Sequence, residues 1–391
     1  MWTADTSPRP APRAGIIGGG FIAAVHARAV RAAGGALHGV ASSSPERART
    51  AARDLGAARA YASVDDLLAD DDVTVVHVCS PNGTHAGYAE AALEAGKHVI
   101  CEKPLTVDPD QGAALLALAA ARGLTATVPF VYRYHPMAVE ARARAAAGGL
   151  GALVGVRGAY LQEWRLAYDE DGWWSLPAAT GPSRAFGDIG SHLGDLVEFV
   201  SGRRITRVNA VTRTVHDRSP QGRPLTTEDL AALVVELDGG AIGSLMVSQM
   251  AFGRKNHLFL EVSGTDANVL FEQENPNALW YADKTGERRI PRDTPHLSAE
   301  AARLSILPAG HPMGYQDAFN AFVRDSYDAA AGAPPRPELP TFRDGLAMVR
   351  LTAAVVASAA SGTWTDIAET PPAPTTPQHP AAQQTEGAPT P

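Results

Sequence analysis

Short apolar runs alternate with longer helical patterns over the first third of the 391-residue chain. This alternation is typical of βαβ units, in which helices join parallel strands. Strands are predicted at Ala14–Gly18, Leu37–Ala41, Val73–Cys79, His98–Cys101 and Thr125–Phe130, with a weaker one at Arg59–Tyr61. Helices are predicted at Phe21–Ala33, Pro45–Leu55, Thr84–Ala95 and Pro109–Ala121. We therefore expect an α/β domain with a doubly wound parallel sheet over residues 14–131.

The pattern changes after residue 131. A predicted helix at Met137–Ala147 is followed by longer β-rich runs, and Gly239–Gly240 predicts a hairpin turn between two of them. The strands are predicted at Ala152–Trp164, Ile205–Val215, Ala231–Leu237, Ala241–Gln249 and His257–Val262. Two late helices are predicted at Gly314–Ala331 and Phe342–Ala360. We expect an α+β domain over residues 132–369 with a large, mostly antiparallel open sheet, and the helix at 342–360 packing back on the first domain.

Both ends of the chain have a different composition. Residues 1–13 contain Pro8, Pro10 and Pro12 but no apolar core of signal-peptide length. Residues 370–391 consist largely of Pro, Thr, Ala and Gln. Such segments bury too little apolar surface to fold, so we expect both tails to be disordered.

Charge and cysteine content restrict the class of partner. The net charge is −8, and no block of Lys or Arg is present, which argues against a nucleic-acid surface. No uncharged apolar stretch reaches membrane-spanning length. Cys79 and Cys101 both fall in apolar runs, where a buried free thiol is the ordinary explanation. We expect a cytoplasmic protein that acts on a small molecule.

A glycine pattern lies directly between the first strand and the first helix. Gly18 permits a tight turn, Gly20 lets the backbone approach a pyrophosphate, and Ala23 takes the third position of the fingerprint. The helix that follows, beginning with Phe21 and Ile22, directs its N-terminal amides at that anion. These residues predict NAD or NADP binding, although glycines can also serve a βα turn alone.

The residues after the second strand leave the choice between NAD and NADP open. An acidic residue normally binds the ribose diol there, whereas this chain has Ser42 and Ser43. Their hydroxyls, with Arg47 close behind, suit the 2′-phosphate of NADP. They are equally able to bind an unmodified ribose. Arg47 is also compatible with an ordinary solvated position on a helix.

Two motifs follow apolar strands and so lie at the carboxyl edge of the predicted parallel sheet, where doubly wound folds bind ligands. The first runs from Ser80 through Asn82 to His85, and the second contains Glu102 and Lys103 before a proline. The proline keeps Lys103 out of helical geometry. An ammonium held there can hydrogen-bond a substrate hydroxyl and stabilise negative charge on its oxygen. We predict that all five residues line the cofactor site.

A third motif contains Asp188 and His192, four positions apart. On a helix the two side chains face the same way, with Asp195 on a neighbouring stripe. Imidazole is well suited to taking a proton from a hydroxyl near neutral pH, and a nearby carboxylate can orient it. Asp195 suits a buried network equally well.

Together these motifs resemble the glucose–fructose oxidoreductase, inositol dehydrogenase and MocA (Gfo/Idh/MocA) family of sugar dehydrogenases, over residues 14–367. The Glu102–Lys103 segment is similar to the family's Glu-Lys-Pro signature, and Asp188–His192 to its Asp-x-Gly-x-His helix. The resemblance implies hydride transfer between a sugar or polyol CH–OH group and NAD(P), the sugar being a cyclitol, hexose or anhydrosugar. It implies His192 as general base, Asp188 as its partner, and Lys103 as their counterpart from the other domain. A homodimer or homotetramer formed through the second-domain sheet is also implied.

Candidates for contact with the substrate are less distinctive. Arg133 opens the second domain, and aromatic rings stack well on the apolar faces of sugars. The candidates are Arg133, Trp164, Arg165, Trp173, Trp174, His311 and Tyr315, besides Lys103, Asp188 and His192. Most tryptophans are core residues, so we expect only one to form a substrate wall. No Cys, His or carboxylate spacing predicts a metal site.

Two other functions are compatible with this sequence pattern. One is a non-catalytic regulator that binds nucleotide and sugar, which would not need Lys103, Asp188 and His192 together. The other is a glycosidase that uses bound NAD transiently, oxidising its substrate before elimination. It would release free sugar without net reduction of the nucleotide.

Overall fold

The computed structural model describes residues 11–166 and 180–370. Its first sheet has six parallel strands in the order β3-β2-β1-β4-β5-β6. The strands are β1 Arg13–Ile17, β2 Ala36–Ala41, β3 Arg59–Ala60, β4 Val75–Val78, β5 His98–Cys101 and β6 Ala126–Thr127. The strand order reverses between β1 and β4, and the carboxyl ends of such neighbouring strands open a crevice that binds ligands.

The helices of the first domain are α1 Phe21–Ala32, α2 Pro45–Leu55, α3 Val64–Leu68, α4 His85–Glu94 and α5 Pro109–Arg122. All but α3 lie within one residue of the predicted bounds. Local signals set the ends of α2, where the Ser44 side chain accepts from the Arg47 N–H and Gly56 adopts the left-handed conformation.

The second sheet has nine strands in the order β14-β13-β12-β11-β7-β10-β9-β8-β15. They are β7 Leu153–Leu161, β8 Ile205–Arg213, β9 Leu230–Leu237, β10 Ile242–Ser248, β11 His257–Gly264, β12 Ala267–Glu272, β13 Ala278–Asp283, β14 Gly286–Pro291 and β15 Thr365–Asp366. Only the β7–β10 pair is parallel among them. The predicted fold class is confirmed, whereas β12 to β15 were not predicted. Gly239 and Gly240 form the predicted hairpin turn, with φ of +82° and +88°.

The helices of the second domain are α6 Pro136–Ala146, α7 Ser191–Ser201, α8 Ala299–Leu304, α9 Tyr315–Ala330 and α10 Phe342–Ser361. α6 and α7 cover one face of the nine-stranded sheet. α10 packs on α5 of the first domain, as expected, and α9 packs on α1, which the sequence did not predict. The two late helices therefore hold the domains together.

α10 is long and apolar enough to cross a membrane by length and composition alone. Half of that apolar stretch is buried inside the fold, where the helix packs on α5 and β8. Burial against protein explains its apolar character, as in any core helix.

One tail boundary needs correction. Arg13 was expected in the disordered tail but begins β1, where its N–H donates to Thr74 Oγ1 at 3.0 Å and its guanidinium pairs with Asp72 at 2.8 Å. Most of the two predicted tails lies outside the described residues, namely residues 1–10 and 371–391. Residues 11, 12 and 370 of those tails are described.

Candidate active site

A cavity of about 1370 Å³ opens at the carboxyl edge of the parallel sheet, between the two domains. All twelve residues predicted to bind the cofactor line it: Gly18, Gly20, Phe21, Ile22, Ser42, Ser43, Arg47, Ser80, Asn82, His85, Glu102 and Lys103. Asp188 and His192, from the second domain, line the same cavity. Tertiary structure thus brings five separate segments of the sequence to one site.

The glycine loop leaves room for a phosphate group. Gly18 has a φ of +124°, and a side chain there would strike the Cys79 carbonyl, whereas a Cβ on Gly20 would meet nothing within 4 Å. Gly20 caps α1 without a side-chain hydrogen bond, and the first turn of α1 has no acidic residue. Backbone N–H groups at the positive end of the helix dipole are therefore available to an anion. The loop fits a dinucleotide pyrophosphate.

The far end of the cavity, after β2, contains donors in place of the missing carboxylate. Arg47 Nη1 donates to Ser43 Oγ at 3.3 Å, and both residues are exposed beside Ser42. Glu46 also lines this end, but its carboxylate accepts from Arg49 at 2.9 Å. Hydroxyl and guanidinium donors suit either a ribose or a 2′-phosphate.

Lys103 and Asp188 form an ion pair across the domain boundary. Lys103 Nζ lies 2.5 Å from Asp188 Oδ1 and 3.1 Å from the Asp188 carbonyl oxygen, and the Lys103–Pro104 peptide is cis. Burial alone would lower the pKa of Lys103, but the charges of Asp188 and Glu102 outweigh it and raise that pKa. Lys103 is therefore a cation at any physiological pH.

His192 faces the same cavity as a neutral imidazole. Burial lowers its pKa well below the ordinary value, and the nearby Lys103 ammonium lowers it further. The rings of Phe130, Tyr132 and Tyr160 surround it, with centroids 5.0 to 6.4 Å away. Nδ1 is buried without a hydrogen-bond partner among the described residues, so Nε2 is the nitrogen that the cavity can reach.

Asp188 lies on a π-helical turn and not on the regular α-helix that the sequence pattern predicted. Residues Phe186–Gly190 form a π-helical turn that leads into α7, which begins just before His192. A side chain at Gly190 would overlap the Phe186 ring, so glycine is required for this turn to close. Single π-turns of this kind recur at functional sites because they redirect one side chain.

Four polar residues at the substrate end of the cavity were not predicted from the sequence. Tyr132 Oη lies 2.5 Å from Tyr160 Oη, and Tyr160 donates to Asn256 Oδ1 at 2.6 Å. Gln162 Nε2 donates to the same oxygen at 2.9 Å. All four line the cavity beside His192. They come from a 3-10 turn, β7, the segment after β7 and the loop before β11, which no local motif connects.

Arg133 does not face the cleft, contrary to prediction. It is buried, and its guanidinium donates twice to Asp195, at 2.8 and 2.5 Å, and once to Asp344 at 2.9 Å. A buried guanidinium needs such carboxylate partners, and breaking the group would cost about 3–5 kcal/mol. Arg133 and Asp195 therefore stabilise the packing of α7 and α10.

The remaining substrate candidates divide into two groups. Trp164 and Tyr315 line the cavity, and Trp164 donates to Gln162 Oε1 at 2.9 Å. Arg165 is buried behind the Trp164 ring, 5.3 Å from its centroid, and does not line the cavity. His311 is exposed to solvent and also lies outside the cavity lining. Trp173 and Trp174 lie outside the described residues.

Glu102 begins a chain of buried hydrogen bonds that crosses the first domain. One carboxylate oxygen lies 3.0 Å from His26 Nε2, and the other accepts from the Lys103 N–H at 3.0 Å. His26 Nδ1 lies 2.8 Å from His77 Nδ1, and His77 Nε2 lies 2.8 Å from the Tyr327 hydroxyl. Glu102 thus ties the Lys103 backbone to α1 and α9.

His85 connects the two loops at the carboxyl edge. Its Nδ1 lies 2.7 Å from the Pro104 carbonyl oxygen and its Nε2 lies 2.8 Å from that of Ser80. Both ring nitrogens are therefore occupied by backbone groups. His85 reaches the cavity wall but positions the loops instead of offering a free nitrogen to a ligand.

A group of possible metal ligands, His38, Asp70 and Asp72, lies at the edge of the first sheet. Asp70 already accepts from Arg59 at 2.8 Å and from the Tyr61 hydroxyl at 2.6 Å. The Tyr61 hydrogen bond lowers the pKa of Asp70. Asp70 therefore belongs to a structural hydrogen-bond network with Arg59 and Tyr61.

His135 makes stability depend on pH. Its ring stacks on Tyr132, Nε2 has no partner among the described residues, and burial lowers its pKa to about 4. Below pH 6.5 the unfolded chain binds a proton that the folded chain does not. The contribution of His135 to the free energy of unfolding therefore decreases by about 1.4 kcal/mol per pH unit as the pH falls from about 6.5 to 4.

We therefore expect His135→Gln to be less acid-sensitive than the wild type when thermal unfolding is measured from pH 7 to 5. His296→Gln, which changes an exposed histidine, is the matched control and should retain the wild-type slope. Equal slopes for His135→Gln and the wild type would show that His135 is not buried as a neutral ring.

Comparison with known proteins identifies the family. Residues 12–130 match the oxidoreductase family with an NAD-binding Rossmann fold, and residues 138–270 match the GFO/IDH/MocA C-terminal domain. The chain belongs to the Gfo/Idh/MocA family of oxidoreductases. The resemblance predicted from the motifs is confirmed.

A similar protein and two similar solved structures each match at least 90% of this chain. Levoglucosan dehydrogenase of Pseudarthrobacter phenanthrenivorans is 29% identical over 90% of this chain and 97% of its own. The structure of an oxidoreductase domain protein from Kribbella flavida is 35% identical, with a TM-score of 0.85 over 92% of this chain and all of the other. A levoglucosan dehydrogenase structure in complex with NADH and levoglucosan is 28% identical, with a TM-score of 0.85 over 92% of this chain and 100% of that chain.

Proposed function

We propose that the protein is a dehydrogenase that transfers a hydride between a CH–OH group of a sugar or polyol and NAD or NADP. The observation that carries the proposal is the pairing of a neutral imidazole, His192, with a cationic ammonium, Lys103, in one cavity with the glycine loop. Levoglucosan dehydrogenase, which has the same fold, binds NADH and levoglucosan. This supports a cyclitol, hexose or anhydrosugar as substrate.

The residues divide the chemistry between them. Bound nicotinamide would supply the hydride acceptor. His192 Nε2 takes the proton of the substrate hydroxyl, because the imidazole is neutral and reachable. Lys103 donates a hydrogen bond to the same oxygen and stabilises its negative charge. Asp188 holds the ammonium in place through the 2.5 Å contact.

The four polar residues at the substrate end of the cavity favour a hydroxylated substrate. Tyr132, Tyr160, Gln162 and Asn256 present hydroxyl and amide groups, and Trp164, which is 43% exposed, also lines the cavity. Hydroxyls of a sugar can exchange hydrogen bonds with the polar groups, while its apolar C–H face packs on the indole. A purely apolar ligand would make no such exchange and would displace water from the remaining donors and acceptors of these residues, which disfavours it.

The test is turnover of a panel of anhydrosugars, inositols and hexoses with NAD or NADP, followed by absorbance of the reduced nicotinamide. Steady reduction with at least one substrate supports the proposal. Binding of sugar and nucleotide without turnover would indicate a regulator. Release of free sugar from glycosides without net reduction would indicate transient oxidation.

Cofactor choice is tested at Arg47. Its guanidinium is exposed near the predicted ribose position and makes one neutral hydrogen bond, to Ser43. A charge-assisted bond to a 2′-phosphate is worth about 1.5–3 kcal/mol, so we expect Arg47→Ala to weaken NADPH binding about tenfold or more. NADH binding, measured by the same fluorescence titration, should change little.

Arg122→Ala is the matched control, because Arg122 is an exposed arginine at the end of α5 that donates to the Glu94 carbonyl oxygen at 3.2 Å and does not line the cavity. If Arg47→Ala weakens the binding of NADH and NADPH equally, Arg47 contacts a part of the nucleotide that the two cofactors share. No effect on either would remove Arg47 from the site.

We further propose a homodimer or homotetramer formed through the outer face of the nine-stranded sheet, and a cytoplasmic location. Apolar side chains that are exposed on the strands of this sheet favour association with a second copy. Exposed apolar side chains on its strands are Val154, Val211, Val234 and Ile242. Both cysteines are free and buried. A monomeric mass by light scattering would contradict the assembly.

A further inference from the structure

A row of buried polar side chains leads away from the cavity behind Asp188. Asp188 Oδ2, the oxygen that does not face Lys103, accepts from Gln249 Nε2 at 2.8 Å. Gln249 Oε1 accepts from Arg184 Nη1 at 3.0 Å, and Arg184 Nη2 forms an ion pair with Asp229. Gln249, Arg184 and Asp229 are at most 4% exposed, and none lines the cavity. They therefore act on a ligand only through Asp188.

The chemistry of its neighbours fixes the direction of the Gln249 amide. A guanidinium can only donate hydrogen bonds, and an ionised carboxylate can only accept them. The amide oxygen must therefore face Arg184 and the amide NH2 must face Asp188. In the reverse orientation the amide NH2 would face the Arg184 guanidinium, which is also a donor, and the amide oxygen would face the Asp188 carboxylate, which is also an acceptor.

The far end of the row is itself held rigidly. Asp229 Oδ2 accepts from the backbone N–H groups of Val215 and His216 at 2.6 and 3.1 Å. The Arg184 backbone N–H donates to Glu228 Oε1 at 3.1 Å. Since Arg184 cannot move away, the Gln249 amide cannot turn over.

We propose that Gln249 is a positioning residue: it holds the Asp188 carboxylate with one oxygen directed at Lys103, and the Arg184–Asp229 pair fixes its amide. The inference rests on the proposed function, because it concerns how the Lys103 ammonium is kept beside the substrate oxygen. Without the Gln249 donor, Asp188 is free to rotate, and the Lys103–Asp188 pair is no longer kept in one geometry.

Gln249→Glu tests the direction of this bond. The variant keeps the size of the side chain and an oxygen for Arg184, but turns the group facing Asp188 from a donor into an acceptor. Two carboxylate oxygens at this distance repel each other unless they share a proton. We expect turnover close to the wild type at acidic pH and about tenfold or more below it at alkaline pH, with nucleotide affinity unchanged.

A second readout does not require turnover. The chain has four lysines, Lys97, Lys103, Lys255 and Lys284, so reductive methylation with 13C-formaldehyde gives few NMR signals. The Lys103 signal is the one missing from Lys103→Arg. Gln249→Met keeps the length without the donor and should lower the pKa of Lys103 as Asp188 turns away. Gln249→Glu should raise it through the added negative charge.

Gln273→Glu is the matched control, because Gln273 is a buried glutamine next to β12 with no hydrogen bond to Asp188 or Arg184. We expect Gln273→Glu to change the stability of the protein but neither the pH–rate profile nor the Lys103 titration. The proposal is overturned if Gln249→Glu keeps the wild-type shape of the pH–rate profile, or if neither Gln249 variant alters the Lys103 titration. Absence of turnover in the wild type would contradict the proposed function instead, and the Lys103 titration would still decide the role of Gln249.

Discussion

Lys103→Ala should lower kcat by about two to three orders of magnitude, the usual effect of removing one donor to a developing oxyanion. The ammonium is cationic because Asp188 and Glu102 raise its pKa despite burial, and it lies at the boundary of the two domains. No other lysine lines the cavity, whose lining is formed by the described residues. The loss should appear in kcat with the proposed sugar substrate.

Nucleotide affinity should be largely retained in this variant, because the glycine loop and α1 provide the anion contacts. Fluorescence titration with NADH measures it. Lys284→Ala, a lysine in the turn between β13 and β14, is the surface control. Turnover of Lys103→Ala close to the wild type would remove Lys103 from the mechanism.

His192→Ala should reduce kcat by about two to four orders of magnitude, the contribution typical of a positioned general base. The imidazole is neutral because burial and Lys103 lower its pKa, so the proton acceptor is present throughout the neutral range. We expect wild-type oxidation to remain nearly constant as the pH falls to 6.5. A decline should begin only well below that value, where the imidazole becomes protonated.

His192→Ala also leaves a space beside Tyr132 and Phe130 that added imidazole can enter. Partial recovery of turnover with imidazole, and none in Lys103→Ala, would separate proton transfer from loss of packing. Near wild-type turnover without imidazole would exclude His192 as the base. Loss of turnover with retained nucleotide binding in both variants would indicate an enzyme, because a regulator has no turnover to lose.

The local parts of this molecule were predictable for a physical reason. The parallel strands, their helices and the hairpin at Gly239 depend on apolar periodicity and on turn residues close together in the chain. A parallel βα arrangement also brings the ends of its strands to one edge. The loops after β1, β2, β4 and β5 therefore had to meet in one cavity, as they do.

Side chains with one strong local motif were also placed correctly. Lys103, Asp188 and His192 meet in the cavity, although Asp188 lies on a π-turn that no spacing rule indicated and hydrogen-bonds Lys103 and Gln249, not its expected partner His192. Arg133 was misplaced, because an arginine beside a domain boundary looks the same whether it faces a ligand or a carboxylate 211 positions away. The edge strands β12 to β14 lie beyond the last run predicted as a strand.

By itself, the sequence determined that this protein has a nucleotide-binding parallel sheet and a second domain rich in antiparallel strands, and it singled out Lys103, Asp188 and His192, which line one cavity. Only the tertiary structure decided what holds that set: Gln249 behind Asp188, Glu102 beneath Lys103, and the aromatic rings that keep His192 neutral. Burial and pairing between distant positions depend on which surfaces the fold brings into contact. A linear pattern carries the periodicity of one element and leaves the identity of its partner undefined.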